Sequence, residues 1–171
     1  IVLPKRETYL DHMLLHRQVV RIFEALGLPE HVEAIQAPIN VRLVSGVRDS
    51  KIDARPRASV KFHTDIWAGE PAAGFMVFLP VIGDTENIGI RWVEPKSIPI
   101  EFRQSIVDFD EGHHLIDGGK EYPAIFRNGD IILSDPLLIH ATQKNGGKLR
   151  VSIDVRCITR HRIPDDEATP G

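Results

Sequence analysis

The 171-residue chain has a single cysteine, Cys157, so it cannot form an intrachain disulfide and reads as a protein of a reducing compartment, with a cytoplasmic location expected. It has no apolar run approaching the roughly 20 residues that a membrane-spanning helix needs. The leading "IVLPKRETYL" lacks the basic-then-apolar order of a secretory signal. No sign of charge dominates. The net charge is −3, and aromatic and basic residues do not cluster into stacking patches, which together argue against a dedicated nucleic-acid binder. Internal repeats, low-complexity tracts and long linkers are all missing. With 42% hydrophobic and 26% charged residues, the chain has the balance of a globular domain, and one domain spanning 1–171 is expected.

The pattern changes along the chain. Residues 7–26 place Leu15, Val19, Ile22, Phe23 and Leu26 at helical spacing, with Gly27 as a stop. Pro29 is suited to open a second, short helix in "PEHVEAIQA", so 1–37 reads as a helical N-terminal part. From Pro38 the texture is that of short strands: "INVRLV", "ASVKFHTDI", "GFMVFLPVI", "NIGIRWV", "DIILSD", "LLIHAT" and "LRVSIDVRCI", separated by Gly, Pro, Asn and Asp. Residues 100–122 read as a polar excursion of loop or short helix, and 159–171 as a frayed tail. Many short strands with frequent turn signals predict a mainly β architecture. The expected fold is an all-β jelly roll over 38–158, with the N-terminal helices packed outside. Such a roll has a mouth where inward side chains converge.

Two windows supply candidate chemistry. In "SVKFHTDIWAGEP" (59–71), strand alternation puts Lys61, His63 and Asp65 on one face and mostly apolar residues on the other. His-x-Asp is short enough to arise by chance, so its weight depends on the second window. In "NGDIILSDPLLIHATQKNGGKLRVSIDVRCI" (128–158), Leu138, His140 and Thr142 share a face. The last strand alternates Arg150, Ser152, Asp154 and Arg156 against Leu149, Val151, Ile153, Val155 and Cys157. Its polar face has two readings: solvent exposure, or the lining of a polar cavity. His63, Asp65 and His140 make up a two-histidine, one-carboxylate set, which suits an octahedral Fe(II) with open positions; Zn(II) with the same ligands favours a closed tetrahedron. Arg150, ten residues after His140, with Ser152 beside it, offers a fork of N–H donors and a hydroxyl to a carboxylate. Arg-x-Ser also occurs at Arg48/Ser50 and Arg57/Ser59, and only the third copy has this position.

These residues resemble the Fe(II)/2-oxoglutarate-dependent dioxygenases, whose signature is His-x-Asp, a distal His, and an Arg about ten residues further on, all on a double-stranded β-helix (a cupin-like jelly roll). "FHTDIWAGEP", "NGDIILSDPLLIHAT" and Arg150-Val151-Ser152-Ile153-Asp154-Val155-Arg156 are most similar to the phytanoyl-CoA dioxygenase-like branch, loosely over 38–158 and closely over 59–71 and 128–156. Members of that branch are often longer, with more helix before the barrel. The resemblance implies Fe(II) held by His63, Asp65 and His140. It also implies 2-oxoglutarate chelating the iron and pairing its far carboxylate with Arg150 and Ser152, and O2 as oxidant. The outcome would be hydroxylation of a small-molecule substrate with release of succinate and CO2. A carboxylate at position 65 disfavours halogenation.

Lys61 is a further candidate for binding the cosubstrate, and Trp67, Thr142 and Arg57 for binding the substrate, with Asn145 shaping the nearby loop. Arg156 is better read as half of a structural ion pair. The His12/His16 pair and His113-His114 read as solvated. Residues 42–61 hold six basic residues against Asp49 and Asp53, an excess suited either to an anionic substrate or to a solvated loop. The competing readings are a cupin-type jelly roll without 2-oxoglutarate chemistry (an isomerase or small-ligand-binding module), and a non-catalytic relative that retains the barrel.

Overall fold

A computed structural model describes residues 1–95, 97–123 and 125–160; most of the expected tail, 161–171, lies outside the described residues. The first helix, α1 (Tyr9–Ala25), follows a 3-10 turn over Arg6–Thr8. It buries Val19 and Phe23, with Leu15 and Ile22 packed beside them, which is the stripe its 3.6-residue period predicts. Gly27 ends it with φ 70°, a left-handed conformation that costs glycine little. The predicted second helix is absent. After a 3-10 turn over Leu28–Glu30, residues Val32–Ile35 form a strand, β1. β1 pairs antiparallel with the far end of the chain, Val32 opposite Thr159 and Ile35 opposite Cys157. A distant partner overrides the local helical signal of "EHVEAI".

The other strands are β2 (Asn40–Ser45), β3 (Gly74–Gly83), β4 (Ile90–Glu94), β5 (Lys120–Pro123), β6 (Ile132–Ser134), β7 (Ile139–Thr142) and β8 (Leu149–Thr159). The fold is therefore mainly β, with antiparallel sheets and few helices. In the larger sheet the order is β1-β8-β3-β6, and β2 shares the β1 edge of β8. β2 takes Leu149–Asp154 and β1 takes Cys157–Thr159. The smaller sheet runs β5-β4-β7. No helix among the described residues is long and apolar enough to cross a membrane.

The two faces of the larger sheet have different tasks. Val77 and Leu79 of β3 and Ile153, Val155 and Cys157 of β8 face Val19 and Phe23 of α1. Each such fully buried side chain contributes about 1.5–3 kcal/mol. On the opposite face, Phe78 of β3 meets Ile90 of β4 and Phe126, with Trp92 and Ile132 packed against them. That contact brings the two sheets together, and the polar face of β8 is turned into the space between them.

The segment 59–71 is not a regular strand. It makes one isolated bridge, His63 with His140, and Asp65 has αR torsions at the start of a 3-10 turn, Ile66–Ala68. It nevertheless runs beside β7, through Thr142 N–H to the Ser59 carbonyl (2.6 Å), the reciprocal His63–His140 pair, and Asp65 N–H to the Pro136 carbonyl (3.0 Å). A turn closed by Lys61 N–H on the Ala58 carbonyl breaks the ladder between the first two contacts. The excursion 100–122 is mostly short helical turns, as expected, with 3-10 segments at Ile100–Phe102 and Phe109–Ile116. Its end, however, joins the smaller sheet as β5.

Candidate metal and anion site

His63 and His140 exchange backbone hydrogen bonds of 2.9 and 2.8 Å. This hydrogen-bonded antiparallel pairing sets their side chains next to each other, with ring centroids 4.5 Å apart. Each ring is oriented in the same way. Nδ1 of His63 lies 2.8 Å from the Lys61 carbonyl, and Nδ1 of His140 lies 2.9 Å from the Leu138 carbonyl. A carbonyl can only accept, so each Nδ1 carries the proton and each Nε2 presents a lone pair. Histidine metal ligands are commonly oriented in this way. Phe109 stacks flat on the His63 ring at 4.4 Å, and Trp92 tilts against His140 at 5.5 Å. Burial, reinforced by His140 and Arg42, pushes the His63 pKa down to about 3 against the Lys61 carbonyl, so this imidazole is neutral at physiological pH.

Asp65 is 6% exposed, and its carboxylate enters no hydrogen bond or ion pair among the described residues. A small inner chamber of about 50 Å³ brings it together with His63, His140, Thr142 and Arg150. The chamber lies between the sheets, with Met76 and Phe78 from one side and Ile90 and Trp92 from the other. A larger cavity of about 950 Å³ shares Arg42, Ser59, His63 and Asp65 with it. The donor set is that of a divalent transition ion: two imidazoles held at Nδ1 with their Nε2 atoms free, and a buried carboxylate without a partner among the described residues. Among the described residues, no three His, Cys, Asp or Glu side chains are drawn close enough to hold an ion.

Arg150 projects from β8 and is 2% exposed. Its Nη1 donates to the Ile88 and Gly89 carbonyls at 2.5 and 3.2 Å, and its guanidinium lies over the rings of Phe78 and Phe126 at 5.0 and 5.8 Å. Nε has no hydrogen-bond partner. Burial lowers its pKa to about 10, opposed by Asp154 and assisted by Arg42, so it stays a cation at neutral pH. A buried guanidinium with idle donors and no ion-pair partner among the described residues is a natural receptor for an incoming carboxylate.

The polar face of β8 is thus cavity wall rather than solvent surface. Ser152 is fully buried beside Arg150 with its Oγ unpartnered, but it does not line the chamber. Asp154 does. It pairs with Arg42, and its carboxyl is pushed up by burial against the pull of Arg42, Arg150 and Arg156. Arg156 pairs with Glu70 at 2.7 Å, the structural ion pair expected of it.

Other candidates lie elsewhere. The Lys61 ammonium is bound by Asp108 at 2.9 Å and Asp110 at 2.6 Å and is not among the cavity-lining residues. The break in the ladder removes the alternation that put Lys61 on the face of His63. Trp67 is core, fully buried among Val93, Ile106, Phe109 and Ile139, with Nε1 donating to the Phe102 carbonyl at 2.7 Å. Arg57 lines the larger cavity, but its guanidinium is engaged by the Ile106 carbonyl and Ser105 Oγ. Asn145 is in the turn preceding β8, with its N–H on the Asn87 carbonyl. Phe109, Trp92, Met76 and Phe78 carry no sequence signal of a site. Asp154 shows in the sequence as a polar position within the Arg150–Arg156 stretch, and Arg42 as one of a run of basic residues.

Comparison with protein-family models, curated proteins and solved structures found no match.

Proposed function

We propose that the chain is an Fe(II)- and 2-oxoglutarate-dependent oxygenase of the double-stranded β-helix class that hydroxylates a small molecule. The observation that carries this reading is the matched orientation of His63 and His140, both with Nε2 free, on a chamber that also holds the unpartnered Asp65 carboxylate and the buried Arg150 cation. His63, Asp65 and His140 are the residues that would hold Fe(II), once their side chains draw together around it, and a bound ferrous ion would supply O2 activation coupled to oxidative decarboxylation of 2-oxoglutarate. Arg150 receives the remote carboxylate of 2-oxoglutarate through donors that no acceptor among the described residues uses. The Ser152 hydroxyl lies next to it on the same strand face. Phe109 and Trp92 fix the two imidazoles and keep water from their flanks. The wide outer cavity supplies space for substrate beside His63 and Asp65.

A second reading, a cupin-type ligand-binding module without 2-oxoglutarate, is favoured by the size of the inner chamber. At about 50 Å³ against about 950 Å³ for the outer cavity, it is small, so the cosubstrate needs side chains to move or must extend into the outer cavity. Anaerobic addition of Fe(II) and 2-oxoglutarate separates the two. The visible charge-transfer band of the ferrous chelate is expected in the parent protein and expected to be lost in His63→Ala; no band in the parent defeats the oxygenase reading. Arg150→Gln is expected to raise the 2-oxoglutarate requirement at least tenfold, about 1.4 kcal/mol, with iron affinity little changed. Equal 2-oxoglutarate affinity in variant and parent removes Arg150 from that role.

A further inference from the structure

The larger cavity is lined by more cations than acids (Asp49, Asp53 and Asp65), an excess that the proposed chemistry does not use. Six cations line it: Arg42, Arg48, Arg55, Arg57, Lys144 and Arg156. Four have protein partners. Arg42 pairs with Asp154, Arg156 with Glu70, and Lys144 with Asp53 at 2.7 Å. Arg57 is held by the Ile106 carbonyl at 2.9 Å and Ser105 Oγ at 3.0 Å.

Arg48 and Arg55 remain. Arg48 enters no hydrogen bond or ion pair among the described residues, and Arg55 uses only Nε, on the Ile52 carbonyl at 3.0 Å. The acids that stand nearest in the chain form no ion pair with them, although Asp53 feels the charge of Arg48. Asp49 caps α2 (Ser50–Asp53), its carboxylate accepting from Lys51 and Ile52 N–H at 2.9 and 3.1 Å. Asp53 is occupied by Lys144 through Oδ1 and by Asp49 N–H through Oδ2 at 3.0 Å. Two guanidiniums with idle N–H donors therefore line the same cavity as His63 and Asp65.

We infer that Arg48 and Arg55 form an anion subsite of the outer cavity, and that the substrate carries a phosphate or carboxylate group held there, away from the carbon that reacts. The inference deepens the oxygenase reading and rests on it for the word substrate, while the anion subsite itself needs no metal. Guanidinium forks match both oxyanions bidentately, and their positive field raises the local concentration of anions approaching the cavity. Both side chains are exposed at the rim, so the attraction is screened as salt rises.

The test uses metal-free protein at low ionic strength, titrated calorimetrically with pyrophosphate and, separately, with tricarballylate. Saturable binding of at least one probe is expected in the parent. It should weaken tenfold or more in the Arg48→Gln/Arg55→Gln double variant, fade with added salt, and persist in Arg150→Gln. Binding of pyrophosphate alone assigns a phosphorylated substrate, and binding of tricarballylate alone a carboxylated one. No saturation by either probe up to about 10 mM overturns the inference, as does binding that survives the double variant or vanishes with Arg150. The ferrous 2-oxoglutarate band is measured on the same proteins. Anion binding without the band leaves the subsite standing and removes the oxygenase reading; the band without anion binding does the reverse.

Discussion

Gly112 lies directly against the Trp67 indole. A Cβ at this position would fall 2.1 Å from Cη2 of Trp67, a ring that is wholly buried and tied by its N–H to the Phe102 carbonyl. Gly112→Ala therefore has to move the indole or the 3-10 segment carrying Phe109, which stacks on His63. We expect a loss of about 1–3 kcal/mol in denaturant unfolding, together with weaker metal binding. An unchanged unfolding midpoint would show that the segment yields freely. Cys157 is a simpler case: burial pushes its thiol up to about 12, so it is a neutral packing group beneath α1 and no nucleophile at neutral pH.

At the scale of elements, one lysine supplies the ion pairs that tie the polar excursion to the His63 segment, beside the Trp67–Phe102 hydrogen bond and the Phe109–His63 stack. Lys61 bridges Asp108 and Asp110, and Asp108 also accepts Asp110 N–H at 3.0 Å. The Lys61 hydrogen bond, helped by that backbone contact, holds the Asp108 carboxyl below its ordinary value of 3.8. A carboxylate whose folded pKa is depressed stabilises the fold above its unfolded pKa and loses that contribution as pH falls through the folded value. Stability measured from pH 6 downward should thus drop more steeply below about pH 4 in the parent than in Asp108→Asn, whose curve should lie lower at neutral pH and flatter in acid. Parallel curves would show that the clamp contributes nothing.

The same scale explains what the sequence could and could not disclose. α1 and β8 were legible because each carries its full periodicity within its own residues, and so were the spacings of His63, Asp65, His140 and Arg150. β1 was not, because Val32–Ile35 is a strand only by virtue of Cys157–Thr159. The irregular course of 59–71 arises from a backbone turn at 58–61 that no side-chain pattern announces. Phe109 over His63 and Arg42 on Asp154 are contacts between elements distant in the chain, and periodicity carries no information about them. Trp67 shows the reverse error: an aromatic close to the site in sequence points into the core.

For the molecule as a whole, β8 is the common partner. β1 and β2 both pair with it on one edge and β3 on the other, its apolar face supports α1, and its polar face supplies Arg150 and Asp154 to the chamber. Hydrogen exchange should find the amides at the centre of β8, around Ile153 and Val155, among the slowest, exchanging near the global unfolding free energy, and those of the edge strand β5 among the fastest. Comparable protection in both strands would contradict this ranking.

The position of β8 in the chain has a consequence for biosynthesis. Among the described strands, residues 149–159 are translated last, so β1 and β2 leave the ribosome without the neighbour that completes them. Their exposed edges must wait until β8 has emerged, and closure of the larger sheet follows the synthesis of every other described strand.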